Sequence, residues 1–274
     1  DPAKGEIYEP FQIIPKVSSS FDQDVYIFNN QNPKTIHVIV KAGKDSISGN
    51  LKLNIPNGWT VSPKNIPFSL AHKNETKTLR FKVSATQEQS EGIISSQVIM
   101  NDQIYDKKLI EVDYDHIPKQ TILLPSEAKI VKLNIEKRGQ LVGYIKGSGD
   151  VTVESLKHIG YNVETLTVED ITPDNIKKFD AIVIGIRAYN VLNDITFKQE
   201  ILFNYIKSGG NMIVQYNTRH RLKTDKIAPY PLKLSRDRVT DEFAKVTFTT
   251  PNHDALNVPN KITQKDFNGW VQER

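Results

Sequence analysis

Between residues 11 and 112 apolar and polar positions alternate. The stretches "DVYIFNN" (24–30), "KTIHVIVKA" (34–42), "GNLKLNIP" (49–56), "TKTLRFKVSA" (76–85), "GIISSQVIM" (92–100) and "QIYDKKLIEV" (103–112) each repeat with a period of two. That is the period of a strand with one face buried. Turn-forming clusters, "NNQNP", "AGKDSISG", "PNGW", "HKNE" and "MNDQ", separate them. "FQIIPKVSSS" (11–20) adds an edge strand, since Pro15 has no N–H for a ladder. Six or seven short strands with these turns predict an all-β, Ig-like antiparallel sandwich over residues 1–115, its last pair a hairpin across "NDQ".

The pattern changes near residue 140. Apolar strand-like runs, "QLVGYIKG", "NVETLTV", "DAIVIGI" and "NMIVQY", alternate with helix-like stretches, "GDVTVESLKHIGY", "TPDNIKKF" and "TFKQEILFNYIKSGG". In the first helix Val151, Leu156 and Ile159 are expected to face inward. Thr172 reads as an N-cap followed by Pro173, and Gly209–Gly210 as a helix stop. Strands alternating with helices predict βαβ units in a doubly wound parallel sheet. The expectation is therefore a multidomain chain: the sandwich (1–115), a linker (116–138) that adds a strand near "AKIVKLNI", and a flavodoxin-like, three-layer α/β domain (139–274). Beyond residue 218 a long polar loop precedes one more expected strand, Lys245–Thr249.

Composition narrows the function classes. The 274 residues are 38% hydrophobic and 25% charged, an ordinary globular balance. The net charge of +4 is spread without a long basic run, which argues against nucleic acid as a partner. Cysteine is absent, so disulfides, thiolate metal sites and a cysteine nucleophile are excluded. The six histidines (37, 72, 116, 158, 220, 253) show no paired ligand spacing, so no metal and no cofactor are expected. The apolar run "AIVIGI" is too short to span a bilayer. The ends, "DPAKGE" and "GWVQER", read as those of a processed or excised piece of a larger protein.

Four stretches could carry chemistry. Gly147 and Gly149, between a strand and a helix, could cradle an anion, although the dinucleotide fingerprint lacks its third glycine at Thr152; the plainer reading is a tight turn. "GIRAYN" (185–190) follows a strand on the side where open α/β sheets bind ligands, which places Arg187, Tyr189 and Asn190; the plainer reading is that Arg187 pairs with a carboxylate and Tyr189 covers the sheet end. "QYNTRHR" (215–221) crowds Tyr216, Asn217, Arg219, His220 and Arg221 at the next strand end. Thr218 with His220 is the one local nucleophile–base pair; a polar binding rim is a better reading than catalysis, and a merely solvated loop is the plainer one. His253–Asp254 could orient each other, or Asn252 or Asp254 could cap a turn. Together Ser148, Arg187, Tyr189, Asn190, Asn217 and Arg219 are expected to form a ligand-binding rim in which Tyr189 offers a stacking face to a sugar, with no catalytic residue among them. An equally polar rim would dock a partner domain.

The stretch "LNIPNGWTVSP" (53–63) resembles the Ig-like sandwich of carbohydrate-active enzymes through Pro56, Gly58, Trp59, Val61 and Pro63; Trp59 reads as a core residue before a sugar platform. "FDAIVIGIRAYN", "ILFNYIKSGGNMIVQYNT" and "TPNHDAL" resemble the class I glutamine amidotransferase-like fold, near its ThuA-like branch. Tyr216 and Asn217 stand where that family has its cysteine nucleophile, so the activity is not implied. The order of the two modules resembles the C-terminal region of large secreted PIG-L (LmbE-like) deacetylases of Bacteroidetes. That resemblance implies export to the periplasm or cell surface. It also implies an accessory role beside a zinc-dependent N-deacetylase domain whose His-Pro-Asp-Asp-Glu motif is absent here. The implied partners are a glycan or sugar ligand and the missing catalytic domain of the parent chain. The alternative is a ThuA-like sugar-converting or hydrolytic domain using Arg187, His220 and His253.

Overall fold

The computed structural model describes residues 11–114 and 116–270. The chain divides into two compact units, with the boundary between Asn134 and Ile135.

The first unit is built from β1 (Val17–Phe21), β2 (Val25–Phe28), β3 (Lys34–Ala42), β4 (Ile47–Asn54), β5 (Thr60–Ser62), β6 (Asn65–Leu70), β7 (Thr76–Ser84), β8 (Ser90–Met100), β9 (Gln103–Tyr105), β10 (Lys107–Val112), β11 (Gln120–Pro125) and β12 (Glu127–Lys132). One sheet has the order β1-β3-β7-β5 and the other β2-β12-β8-β4-β6, with β9 on β8. All these pairings are antiparallel except β12 with β2. Alternate residues of each strand point into one shared core: Ile36, Val38 and Val40 from β3 and Phe81 and Val83 from β7 meet Leu51, Ile94 and Ile130. Two sheets closed over one core make a β-sandwich, as the period of two predicts. Trp59 belongs to that core: it is 5% exposed, meets Phe28 edge-on at 5.0 Å, and its indole N–H donates to Ser90 Oγ at 2.9 Å. The β8–β9 hairpin turns on Asn101 and Asp102, both at positive φ (49° and 59°), the backbone of a tight two-residue turn.

Several features of this unit differ from the sequence reading, among them β5 and β6, where no strand was expected. Residues 103–112 break at Asp106 into β9, which pairs with β8, and β10, which pairs with β11. The break is held by the Ser126 N–H donating to the Asp106 carbonyl at 2.8 Å. The segment read as a linker carries, besides the strand expected near "AKIVKLNI", which is β12, the unexpected β11; β12 lies between β2 and β8. Buried hydroxyls, which a polarity pattern assigns to the surface, join in a thread: Ser19 Oγ to Ser96 Oγ at 2.7 Å, and Ser96 Oγ to Ser126 Oγ at 2.6 Å. Each satisfies the other, so burial leaves none unpaired.

The second unit holds four parallel strands in the order β14-β13-β15-β16: β13 (Leu141–Ile145), β14 (Asn162–Leu166), β15 (Ala181–Ile184) and β16 (Asn211–Val214). The flavodoxin-like, glutamine amidotransferase-like three-layer domain does not form. Strand makes up 36% of the structure and helix 14%. The helices are short: α1 (Thr152–His158), α2 (Pro173–Ile176), α3 (Ala188–Val191), α4 (Gln199–Lys207) and α5 (Asp254–Asn257). α4, with nine residues, is the longest among those described; it buries Leu202 and Tyr205 and stops before Gly209 at φ 95°. α1 buries no residue, and Val151 is 74% exposed rather than inward; Leu156 alone of the expected trio packs, partly buried, on Val142, Tyr144 and Val183. The expected strand at Lys245–Thr249 is irregular. The physical reason is coverage: two full helical layers need helices long enough to bury both sheet faces. Here Ile145, Ile184, Leu202 and Tyr205 build a core on one face, while the other holds a small cluster of three buried side chains.

Candidate functional site

The carboxyl ends of β13, β15 and β16 lie side by side and lead into residues 146–150, 185–190 and 215–222. Asp150 joins the first two. Its carboxylate accepts from the Tyr144 hydroxyl at 2.6 Å, the Thr152 N–H at 2.8 Å and the Ile186 N–H at 3.4 Å. Gln215 reaches the same cluster, donating to Thr152 Oγ1 at 3.0 Å. Burial pushes Asp150 up, but the Tyr144 hydroxyl and the backbone donors outweigh it and hold the carboxyl below its usual range. Burial, with the Asp150 charge beside it, pushes the Tyr144 phenol up. This cluster is an acceptor and its donors, with a structural geometry. It escaped the sequence reading, although an Asp just before a helix is a recognisable capping signal.

The anion cradle expected at Gly147 and Gly149 is occupied by the chain itself. The Ser148 N–H donates to the Ile186 carbonyl at 2.8 Å, a Cβ on Gly147 would collide with that same carbonyl, and Asp150 supplies the negative charge at the start of α1. The plainer reading, a tight turn, is the one the geometry supports.

Of the six expected rim residues, three are structural. Tyr189 is fully buried, so it cannot offer a stacking face; its hydroxyl donates to Gln199 Oε1 at 3.3 Å, and burial raises its pKa. Asn190 is 7% exposed. Its Nδ2 donates to the carbonyls of Thr218 (2.9 Å) and His220 (3.1 Å), and its Oδ1 accepts from the Thr218 N–H (3.0 Å). Asn217 is 8% exposed; its Oδ1 accepts from the Tyr189 N–H at 3.1 Å and its Nδ2 donates to the Gln215 carbonyl at 2.8 Å. An amide with both ends bonded inside the fold has little left for a ligand. These side chains clamp the 216–221 loop onto α3.

The other three, Ser148, Arg187 and Arg219, are exposed, and so is Tyr216 at 66%. Arg187 stands in the left-handed region at φ 57°, and its N–H donates to the Tyr216 carbonyl at 2.7 Å. Arg221 adopts the same region at φ 60°. A non-glycine residue there is strained and held by its surroundings. Beside them opens a cleft of about 660 Å³ between residues 216–221 and 235–238, which brings Arg219 and Arg221 to Arg236 and Arg238. The sequence reading missed Arg236 and Arg238, which lie in a stretch whose irregular backbone carries no periodic signal.

The remaining candidates resolve into local structure. The Thr218 hydroxyl donates to the His220 carbonyl at 3.0 Å rather than to its ring. His253 itself caps α5, its Nδ1 accepting from the Ala255 N–H at 3.1 Å, where Asn252 or Asp254 had been expected. Among the described residues, no three His, Asp or Glu side chains group as metal ligands, and no helix is long and apolar enough to cross a membrane.

No protein-family model matches the chain, and no curated protein matches it. Several solved structures are similar to part of it. The human F-spondin reeler domain shares 12% identity and a TM-score of 0.26, over 48% of this chain and 96% of that one. A non-cellulosomal cohesin from Archaeoglobus fulgidus shares 10% identity and a TM-score of 0.25, over 43% and 92%. WR4, a Caenorhabditis elegans MSP family member, shares 8% identity and a TM-score of 0.23, over 43% and 98%. At these scores the likenesses assign neither a fold nor a function to the chain.

Proposed function

We propose that the chain is a non-catalytic accessory region of a secreted PIG-L (LmbE-like) carbohydrate N-deacetylase, and that its second unit binds glycan through the rim at the end of β16. One observation carries this reading: the exposed Tyr216 and the exposed Arg219 line one cleft, and the Arg187 N–H holds the Tyr216 carbonyl. An open aromatic face with guanidinium donors beside it suits a hydroxyl-rich ring. Tyr216 thus takes the stacking role that the sequence suggested for Tyr189. The buried amides of Asn190 and Asn217 support the reading indirectly, because they fix the loop that presents Tyr216 and Arg219.

The test mixes the 274-residue chain with chitotetraose, following binding by calorimetry and acetate release by NMR. Binding without acetate is expected, weakened by up to about ten-fold in Tyr216→Ala, the loss of one aromatic contact. Acetate release by the chain alone, or binding indifferent to Tyr216→Ala, overturns the proposal.

A further inference from the structure

The cleft beside Tyr216 has an unusual electrostatic character for a neutral-sugar site. Arg219, Arg221, Arg236 and Arg238 all line it, against a single carboxylate, that of Asp237. None of the four guanidinium groups is ion-paired among the described residues, whereas seven lysines pair with carboxylates elsewhere in the same structure. Four like charges in one concave space repel one another, which costs stability unless a counter-charge enters. The loop that carries Arg219 and Arg221 is fastened, because Asn190 ties the Thr218 and His220 carbonyls. Arg236 and Arg238 flank a local turn in which the Ser235 hydroxyl accepts from the Asp237 N–H at 3.1 Å. The left-handed backbone at Arg221 is a further local cost.

From this arrangement we infer that the cleft is an oxyanion site, and that the saccharide bound at the rim is acidic, carrying carboxylate or sulfate groups. Guanidinium is the side chain suited to such groups, because its planar fork donates two parallel hydrogen bonds to a carboxylate or sulfate. The inference rests on the proposed glycan-binding function and specifies its ligand: Tyr216 stacks on a sugar ring while the arginines hold its charged substituents. The cleft's breadth, about 660 Å³, accommodates more than an isolated inorganic anion.

The test titrates the chain with tetragalacturonate, chitotetraose, inorganic sulfate, inorganic phosphate and a short thymidylate strand, each at low and at physiological ionic strength. Tetragalacturonate is expected to bind at least about ten-fold more tightly than chitotetraose, and to weaken as salt rises. The double variant Arg236→Ala/Arg238→Ala is expected to lose at least about ten-fold in tetragalacturonate affinity without a fall in the unfolding midpoint, since both side chains are exposed and their removal relieves repulsion. Equal affinity for the two saccharides overturns the acidic ligand but leaves the glycan reading standing. Sulfate or phosphate binding that depends on Arg236 and Arg238, with neither saccharide bound, supports the oxyanion site and overturns the glycan reading. Tighter binding of the thymidylate strand than of tetragalacturonate, affinity unaltered in the double variant, or no binding of any probe overturns the inference.

Discussion

Asn190 makes three hydrogen bonds to the 216–221 loop from a position that is 7% exposed. Its replacement by Ala strands one backbone donor and removes a partner from two carbonyls, so Asn190→Ala is expected to cost about 1–3 kcal/mol in urea unfolding. Tyr189→Phe removes one 3.3 Å hydrogen bond and keeps the buried ring, and a cost of about 1 kcal/mol is expected by the same measurement. Arg187→Ala, at an exposed site, is expected to stay within about 1 kcal/mol of the parent. The sequence placed these residues correctly at strand ends and could not tell which way they turn. Asn, Tyr and Arg in a polar loop read alike as ligand contacts. Direction is set by α3, a four-residue helix that carries Ala188, Tyr189 and Asn190 inward and leaves Arg187 outside. No periodic pattern can be read from a single helical turn.

The strands were legible element by element because alternation reports burial directly: β3 and β7 bury every second residue. The positions of α1, α2 and α4 were legible as well, with Thr172 capping α2 as expected, but their lengths were not, because a helix-like composition does not fix length. "GDVTVESLKHIGY" yields only α1, which contains the β-branched Val153 and lies between Val151 and Gly160, residues that favour other backbone states. The β10–β11 hairpin was hidden because Asp106 interrupts one alternating run without a Gly or Pro to mark it. The hairpin also carries a charge cluster: Glu111 of β10 pairs with Lys119 and Lys41, each at 2.7 Å. Hydrogen bonds from Lys119 and Lys41 hold its carboxyl at about 2, below an unfolded value of about 4.3. A depressed folded pKa means that the stabilisation is complete above the unfolded value and is lost as pH falls through the folded one. The stability difference between the parent and Glu111→Gln is therefore expected to shrink as pH is lowered from about 5 to about 2. A chemical-denaturation series across that range checks this, and a difference that stays constant counts against the pairing.

At the scale of the molecule, each unit carries its own hydrophobic core, one centred on β3, β7 and β8 and the other on β13 and β15. A fragment ending at Asn134 is accordingly expected to unfold in one cooperative transition, seen as coincident fluorescence and circular-dichroism curves. Neighbouring polar residues have opposite roles in the second unit: Asn190 holds the loop, and Arg219 is presented by it. Urea unfolding of Asn190→Ala and Arg219→Ala, measured side by side, tests that division most directly. The expected result is a loss of about 1–3 kcal/mol for Asn190→Ala and less than about 0.5 kcal/mol for Arg219→Ala. The reverse order, or equal losses, would contradict it.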